Sequence, residues 1–262
     1  MSQQPIRVAV LGAAGRMGRI LSSMFARDAR FELVARVDRH RREEGMGVCM
    51  PSIIEDLNDA PEFDVLVDFS TPEATESALD IVDRRGVAWL VATTGVGDEV
   101  REKIESLGAK QPIFIAANTS LGIALMQRLA AQAAAVLAEW DCEIVETHHR
   151  NKVDAPSGTA KALAETVNRA RASVLRRADF VYDRTVRRSV RPDDEIGISA
   201  LRGGTVAGQH QILWFGNHEQ FEIRHTAEDR DIFAHGAVKI ASWIAMQGPG
   251  VYTMDRILDD IL

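Results

Sequence analysis

Positive charge is in deficit, cysteine is nearly absent, and no long apolar run interrupts the chain. The 262 residues carry 31 Lys and Arg against 38 Asp and Glu, a formal net charge of −7. Non-specific nucleic-acid binding needs clustered positive charge to displace phosphate counterions, so the negative balance argues against it and no nucleic-acid partner is expected. Two cysteines, Cys49 and Cys142, cannot build a disulfide framework. Both are expected as reduced, buried thiols. No stretch approaches the roughly 18–20 apolar residues of a membrane span, so no membrane partner is expected. Met1 to Pro5 is polar and runs straight into a strand-like segment, with no room for a signal or transit peptide. Internal repeats and low-complexity segments are missing too. These absences point to a cytoplasmic location.

What is present is a globular composition, 46% hydrophobic. The length suits one large or two modest domains. Ile6 to Leu11 is a buried-strand pattern, followed by a glycine-rich turn and then by Met17, Ile20, Leu21, Met24 and Phe25 at helical spacing. A second strand, Phe31 to Val37, completes a βαβ unit. Strands at 63–69, 87–91 and 112–116 alternate with helices at 72–85 and 98–109, the first of these capped by Thr71 before Pro72. Such alternation implies α/β architecture with a parallel sheet covered on both faces.

After residue 118 the pattern changes. A long helix is expected over 122–140, with Met126, Leu129, Ala133, Val136, Leu137 and Trp140 on its apolar face. A strand at 142–147 and a helix at 157–171 follow. Beyond Ile196 the chain alternates like antiparallel strands, over 205–215 and again over 221–226, with Gly203-Gly204 and Gly216-Asn217 as turns. This half is expected as an α+β domain. Residues 171–195 mix seven Arg with five acids and suit a solvated loop. The final segments, 233–246 and 254–262, are helical patterns.

Gly12, Gly15 and Gly18 stand between the first strand and the first helix, within Gly12-Ala13-Ala14-Gly15-Arg16-Met17-Gly18. Small residues there let the backbone approach a pyrophosphate, and the helix start supplies free N–H groups. The spacing is G-x-x-G-x-x-G, whereas the common dinucleotide fingerprint is G-x-G-x-x-G. A tight turn without a ligand could carry the same glycines. Asp38, at the end of the second strand, occupies the place of a ribose-binding acid. Arg39, Arg41 and Arg42 follow it. An acid favours the free 2′-hydroxyl of NADH and a neighbouring arginine favours the 2′-phosphate of NADPH, so use of both is expected. A solvated loop would equally accommodate Arg41 and Arg42.

The segment from Glu146 to Ala160 holds His148, His149, Lys152, Ser157, Gly158 and Thr159. Ser157 suits an N-cap. That places Gly158 and Thr159 in a first helical turn, whose N–H groups form an anion site for a carboxylate. Lys152 adds a cation, and His148 can donate a proton near neutral pH. Adjacent histidines on an extended chain point to opposite faces, and no other ligands stand at metal spacing, so no metal is expected. A purely structural histidine pair is the other reading.

The stretch His148-His149-Arg150-Asn151-Lys152-Val153-Asp154-Ala155-Pro156-Ser157-Gly158-Thr159-Ala160 closely resembles the signature of bacterial dihydrodipicolinate reductases. The resemblance extends over nearly the whole chain. The turn at 12–18 resembles that family's cofactor turn. Thr93-Thr94-Gly95 and Ala116-Ala117-Asn118 resemble its two nicotinamide-facing loops. Arg202-Gly203-Gly204-Thr205, and Arg230 with Phe233-Ala234, resemble its C-terminal pattern. Ala92, Thr119 and Gln209 depart from residues common in the family, and the first two border the nicotinamide loops.

The resemblance implies an N-terminal Rossmann-type doubly wound domain (1–119 plus 230–262) that binds NADH or NADPH. It implies a second α+β domain (120–229) for substrate binding and oligomerisation. His148 would be the proton donor and Lys152 a second donor or charge partner. His149, Ser157, Gly158 and Thr159 would bind a small dicarboxylate. Gly12 to Met17, Asp38, Arg39, Ala92, Thr93, Thr94, Ala116, Ala117, Asn118, Thr119 and Arg230 would line the cofactor site. The implied assembly is a homotetramer built through the C-terminal sheets. On the residues alone, a reductase of another imino acid and a nucleotide-sensing regulator with the same fold both remain open.

Overall fold

The computed structural model describes residues 4–40, 49–175 and 177–261; Arg41 and Arg42 lie outside them. These residues form two compact units, one within Met1–Ser120 and Asp231–Leu262, the other within Leu121–Arg230.

The first unit opens with β1 (Ile6–Leu11), α1 (Arg16–Arg27), β2 (Phe31–Val37) and the two-residue β3 (Ile53–Ile54). It continues with β4 (Val65–Asp68), α2 (Pro72–Arg85), β5 (Ala88–Val91), α3 (Asp98–Leu107) and β6 (Pro112–Ile115). Local chemistry explains the boundaries. At the start of α2, Thr71 accepts a hydrogen bond from Ala74 N and Pro72 occupies the first turn. At its end, Gly86 takes the left-handed conformation, φ 62°, and its N–H returns to Val82 O. On one side of the sheet Leu66, Val82, Trp89, Ile104 and Ile113 bury their side chains. Each such burial is worth about 1.5–3 kcal/mol.

The second unit contains α4 (Leu121–Val136), β7 (Asp141–His148), α5 (Gly158–Ala172), β8 (Asp179–Val181), β9 (Glu195–Arg202), β10 (Gly208–Gly216) and β11 (Glu219–Ala227). Its sheet runs in the order β11-β10-β7-β9-β8, with β10 antiparallel to both neighbours and β7, β8 and β9 parallel. The inner face buries Ile144, Ile196, Ile198, Ile212 and Trp214 against Met126 and Ala130 of α4 and Leu163 and Val167 of α5.

The chain then returns to the first unit through α6 (Asp231–Ile244), β12 (Gly250–Tyr252) and α7 (Met254–Ile261). The completed sheet is wholly parallel, in the order β12-β6-β5-β4-β1-β2-β3. Helix α6 packs on β4, β5, β6 and α1. The architecture is therefore a Rossmann-type α/β unit plus a mixed-sheet α+β unit.

Four expectations need correction. Cys142 is buried, and burial pushes its thiol up to about 12, whereas Cys49 is exposed. In α4 the residues packed inward are Ile123, Ala124, Met126, Ala130 and Ala134, while Leu129 and Val136 face outward beside Trp140 and Phe221. Of the expected stripe, Met126 is buried and Ala133, Leu137 and Trp140 pack against the core, while Leu129 and Val136 are exposed along a surface groove. Residues 171–195 are not simply a solvated loop: they include β8, and Arg171 and Glu195 are buried. Arg171 donates to Ala138 O and Asp193 O, Arg184 and Arg187 pair with Glu195, and Arg191 pairs with Asp141. Specific pairing, which composition could not reveal, holds these charges. The strand expected from Thr205 begins at Gly208, because 203–205 form the turn.

Candidate active site

The glycine-rich turn follows β1 directly. Gly12 has φ +83°, and a Cβ there would lie 2.5 Å from Phe69 O. A Cβ on Gly18 would lie 2.1 Å from Gly12 O. The turn and the start of α1 therefore touch backbone to backbone, which only glycine permits. Asp38 ties this turn down: its Oδ2 accepts from Ala14 N at 2.9 Å and its Oδ1 from His40 N at 2.9 Å. A cavity of about 1010 Å³ opens here, bordered by Gly12, Ala14, Gly15, Asp38, Arg39 and Ser70. That volume and a cradle of glycine and alanine fit a dinucleotide. Ala13, Arg16 and Met17 belong to the turn and the helix start, but do not border the cavity.

The other expected cofactor residues follow β5 and β6. Ala92 is buried, Thr93 is half-buried and Thr94 is exposed. Ala117 is exposed, Ala116 is buried, and Asn118 Oδ1 accepts from Ser120 N at 2.9 Å. The Thr119 side chain is buried and its hydroxyl donates to Phe233 O at 2.7 Å, at the start of α6. The Arg230 guanidinium donates to His149 Nε2 at 3.1 Å, within the second unit.

The second unit assembles its polar cluster from the inner face of three adjacent strands. Period-2 alternation puts Glu146 and His148 on that face of β7. Arg202 of β9 lies opposite His148, and His210 of β10 lies opposite Glu146. Glu146 is fully buried, and its oxygens take both Arg202 Nη groups at 2.8 Å each, His148 Nδ1 at 2.6 Å and Ser157 N at 3.0 Å. Burial alone would raise its pKa, but these donors outweigh it and hold the carboxyl below its ordinary range. An ionised carboxylate only accepts, so His148 carries its proton on Nδ1 and leaves Nε2 as a base. Burial lowers the pKa of His148, with Glu146 opposing and Lys152 and Arg202 adding to the effect. A Cβ on Gly208 would lie 3.1 Å from His148 Nε2, so glycine there leaves room beside the ring.

Ser157 caps α5: its Oγ accepts from Ala160 N at 3.1 Å. The hydroxyl proton is therefore free to go to His210 Nε2, 3.1 Å away. Burial pushes His210 down to about 4. Gly158 is exposed at the helix start, with Thr159 half-buried beside it. Lys152 Nζ lies 2.8 Å from Asp154 Oδ1. The Arg202-Gly203-Gly204 turn also supports the histidines: Gly203 N donates to His148 O, and Arg150 N donates to Gly204 O.

Glu146, Arg202 and His210 were not among the expected site residues. Period-2 parity with His148 along β7 is the signal for Glu146, whereas Arg202 reaches the cluster only through the pairing of β9 with β7. For His210 nothing local marked the contact, since β10 brings it to Ser157 from 53 residues away.

A Rossmann-type unit with a dinucleotide cradle, joined to a unit bearing a carboxylate-supported histidine beside a capped helix start, defines a nicotinamide-nucleotide-dependent oxidoreductase. Residues 6–119 match the family model described as dihydrodipicolinate reductase, N-terminus, and residues 122–258 match the one described as its C-terminus. A 4-hydroxy-tetrahydrodipicolinate reductase of Archaeoglobus fulgidus is 39% identical over 260 residues, covering 97% of this chain and 100% of the relative. One from Caldanaerobacter subterraneus is 37% identical, covering 97% of this chain and 98% of the relative. A solved structure of dipicolinate-bound dihydrodipicolinate reductase from Paenisporosarcina has a TM-score of 0.78 at 26% identity, covering 98% of this chain and all of that one. The chain belongs to the dihydrodipicolinate reductase family.

Proposed function

We propose that the chain reduces the cyclic imine formed from 4-hydroxy-tetrahydrodipicolinate to tetrahydrodipicolinate, in the diaminopimelate route to lysine. The nicotinamide nucleotide supplies hydride. The single observation that carries the residue roles is the Glu146–His148 pair beside the α5 start. Glu146 is pinned by Arg202 and fixes the Nδ1–H tautomer of His148, leaving Nε2 to hold the proton that is transferred. The resting ring is neutral near pH 7 because burial disfavours its charge. A doubly negative substrate at the α5 start raises that pKa and loads Nε2 with a proton. Gly158, Thr159 and the Ser157 cap bind one carboxylate. His149, held by Arg230, and Lys152 bind the other, and Lys152 is the second proton source.

Both NADH and NADPH serve as cofactor on this reading. Asp38 faces the cavity for a ribose hydroxyl, and Arg39 borders the same cavity for a 2′-phosphate. The enzyme works in the cytoplasm, where free thiols such as Cys49 and Cys142 persist. It assembles as a homotetramer through the β10–β11 side, where β11 is an edge strand with Phe221 exposed. No helix among the described residues is long and apolar enough to cross a membrane.

The test is oxidation of NADH and of NADPH in a coupled assay with freshly generated substrate. Wild type should turn over with both. His148→Gln and Lys152→Ala should each lower kcat by roughly 10²-fold or more. Near-wild-type turnover in both variants would remove these roles. Cofactor binding without turnover of this substrate would favour a reductase of another imino acid.

A further inference from the structure

One acidic group at the strand ends below the cofactor cavity takes no part in the steps above. Asp68 is the last residue of β4 and is fully buried. It is paired with Leu11 of β1 on one side and with Val91 of β5 on the other. The strand order reverses direction between β1 and β4. In open parallel sheets, ligands lie off the carboxyl ends of the strands at such a switch point.

The carboxylate gathers donors from two loops and a helix. Oδ1 accepts from Ser70 N at 3.0 Å, from Ser70 Oγ at 2.5 Å and from Thr93 Oγ1 at 2.8 Å. Oδ2 accepts from Thr75 Oγ1 at 2.6 Å in α2. Ser70 N also reaches Thr93 Oγ1 at 3.0 Å, closing a triangle between the β4–α2 and β5–α3 loops. Among the described residues no arginine or lysine pairs with Asp68, and burial raises its pKa despite the four donors. A position that only had to be filled would cost less with an apolar side chain. Here every donor but Thr75 comes from the two loops, and Ser70 borders the cavity.

We infer that Asp68 is a positioning residue for the nicotinamide nucleotide: through Ser70 and Thr93 it locks the loops after β4 and β5 into one arrangement toward the cofactor. This rests on the cofactor reading above, and the two can fail separately. If wild type binds neither NADH nor NADPH, the cofactor reading itself is wrong.

The experiment is titration of NADH fluorescence on the full-length protein, with melting curves and steady-state KM values alongside. Asp68→Asn keeps the shape but removes the charge and one acceptor oxygen, leaving a single oxygen for the four donors. It should weaken NADH binding about tenfold or more, the usual scale for a buried polar group left mispaired. KM for the cofactor should rise with it, and KM for the dicarboxylate should stay within about twofold of wild type. Thr93→Val should weaken NADH in the same way, and Thr93→Ser, which keeps the hydroxyl, should recover most of that loss. The double variant Asp68→Asn with Thr93→Val should be little worse than the weaker-binding single, because the two act as one unit. An unchanged NADH affinity in Asp68→Asn with only a lower melting temperature would overturn the proposal. So would equal losses for cofactor and dicarboxylate, or additive losses in the double variant. Should Asp68→Asn not fold, equal NADH affinities for Thr93→Val and Thr93→Ser would overturn it.

Discussion

At the scale of single residues, the proposed proton donor, His148, is defined by its supports. Glu146 raises the pKa of His148, against burial, Lys152 and Arg202. Glu146→Gln removes that charge and unpairs Arg202. We expect kcat to fall roughly 10²-fold. On the proposed role, transfer needs protonated His148, so activity should be lost as pH rises through its pKa. A lower pKa moves the alkaline limb of the kcat/KM profile to lower pH. An unmoved limb in Glu146→Gln would show that Glu146 does not tune His148.

His210 makes a separate pH prediction. Its folded pKa is about 4, against an ordinary 6.5. Between these values the unfolded chain binds a proton that the folded chain does not. Folding stability therefore falls as pH drops from 6.5 toward 4, and is fully present above 6.5. The contribution amounts to about 3 kcal/mol at most. Urea unfolding at pH 7 and pH 4.5 should show the loss, and His210→Gln should flatten the slope. An identical slope in the variant would assign the acid sensitivity to other groups.

At the scale of elements, legibility followed periodicity. β1, the glycine turn, α1 and β2 were legible because each carries a full local pattern, and Ser157 announced its own helix. β3 and β12, of two and three residues, are too short to show a period. The face of α4 misled for a different reason. Apolar spacing marks a stripe without saying what covers it, and the Leu129–Val136–Trp140 stripe lines a surface groove. Arg202 was visible as part of a pattern, but its grip on Glu146 depends on β7 and β9 pairing across 56 residues. The β1–turn–α1 element also carries its own test. Gly18→Ala would drive a methyl into Gly12 O and Ala13 Cα. We expect it to cost about 1–3 kcal/mol in thermal unfolding, with weakened NADH binding. A neutral substitution would show that the turn has slack that the backbone contact denies.

At the scale of the whole molecule, the acidic net charge says little about what binds. Both proposed ligands are anions, yet the chain is formally −7. Helix starts, Lys152, Arg230 and Arg39 concentrate positive charge locally, while many arginines pair with acids of the chain. Arg184, Arg187 and Arg191 serve Glu143, Glu195 and Asp141, and Arg202 serves Glu146. The order of the chain matters in another way. β12 and α6 belong to the first unit but come last, after a contiguous second unit. On the ribosome, residues 121–230 are therefore complete while β6 still offers a bare edge and β4 to β6 still lack α6. Until the closing segment emerges, the nucleotide-binding half of the nascent chain is the one that chaperones must guard, although it was the first to be synthesised.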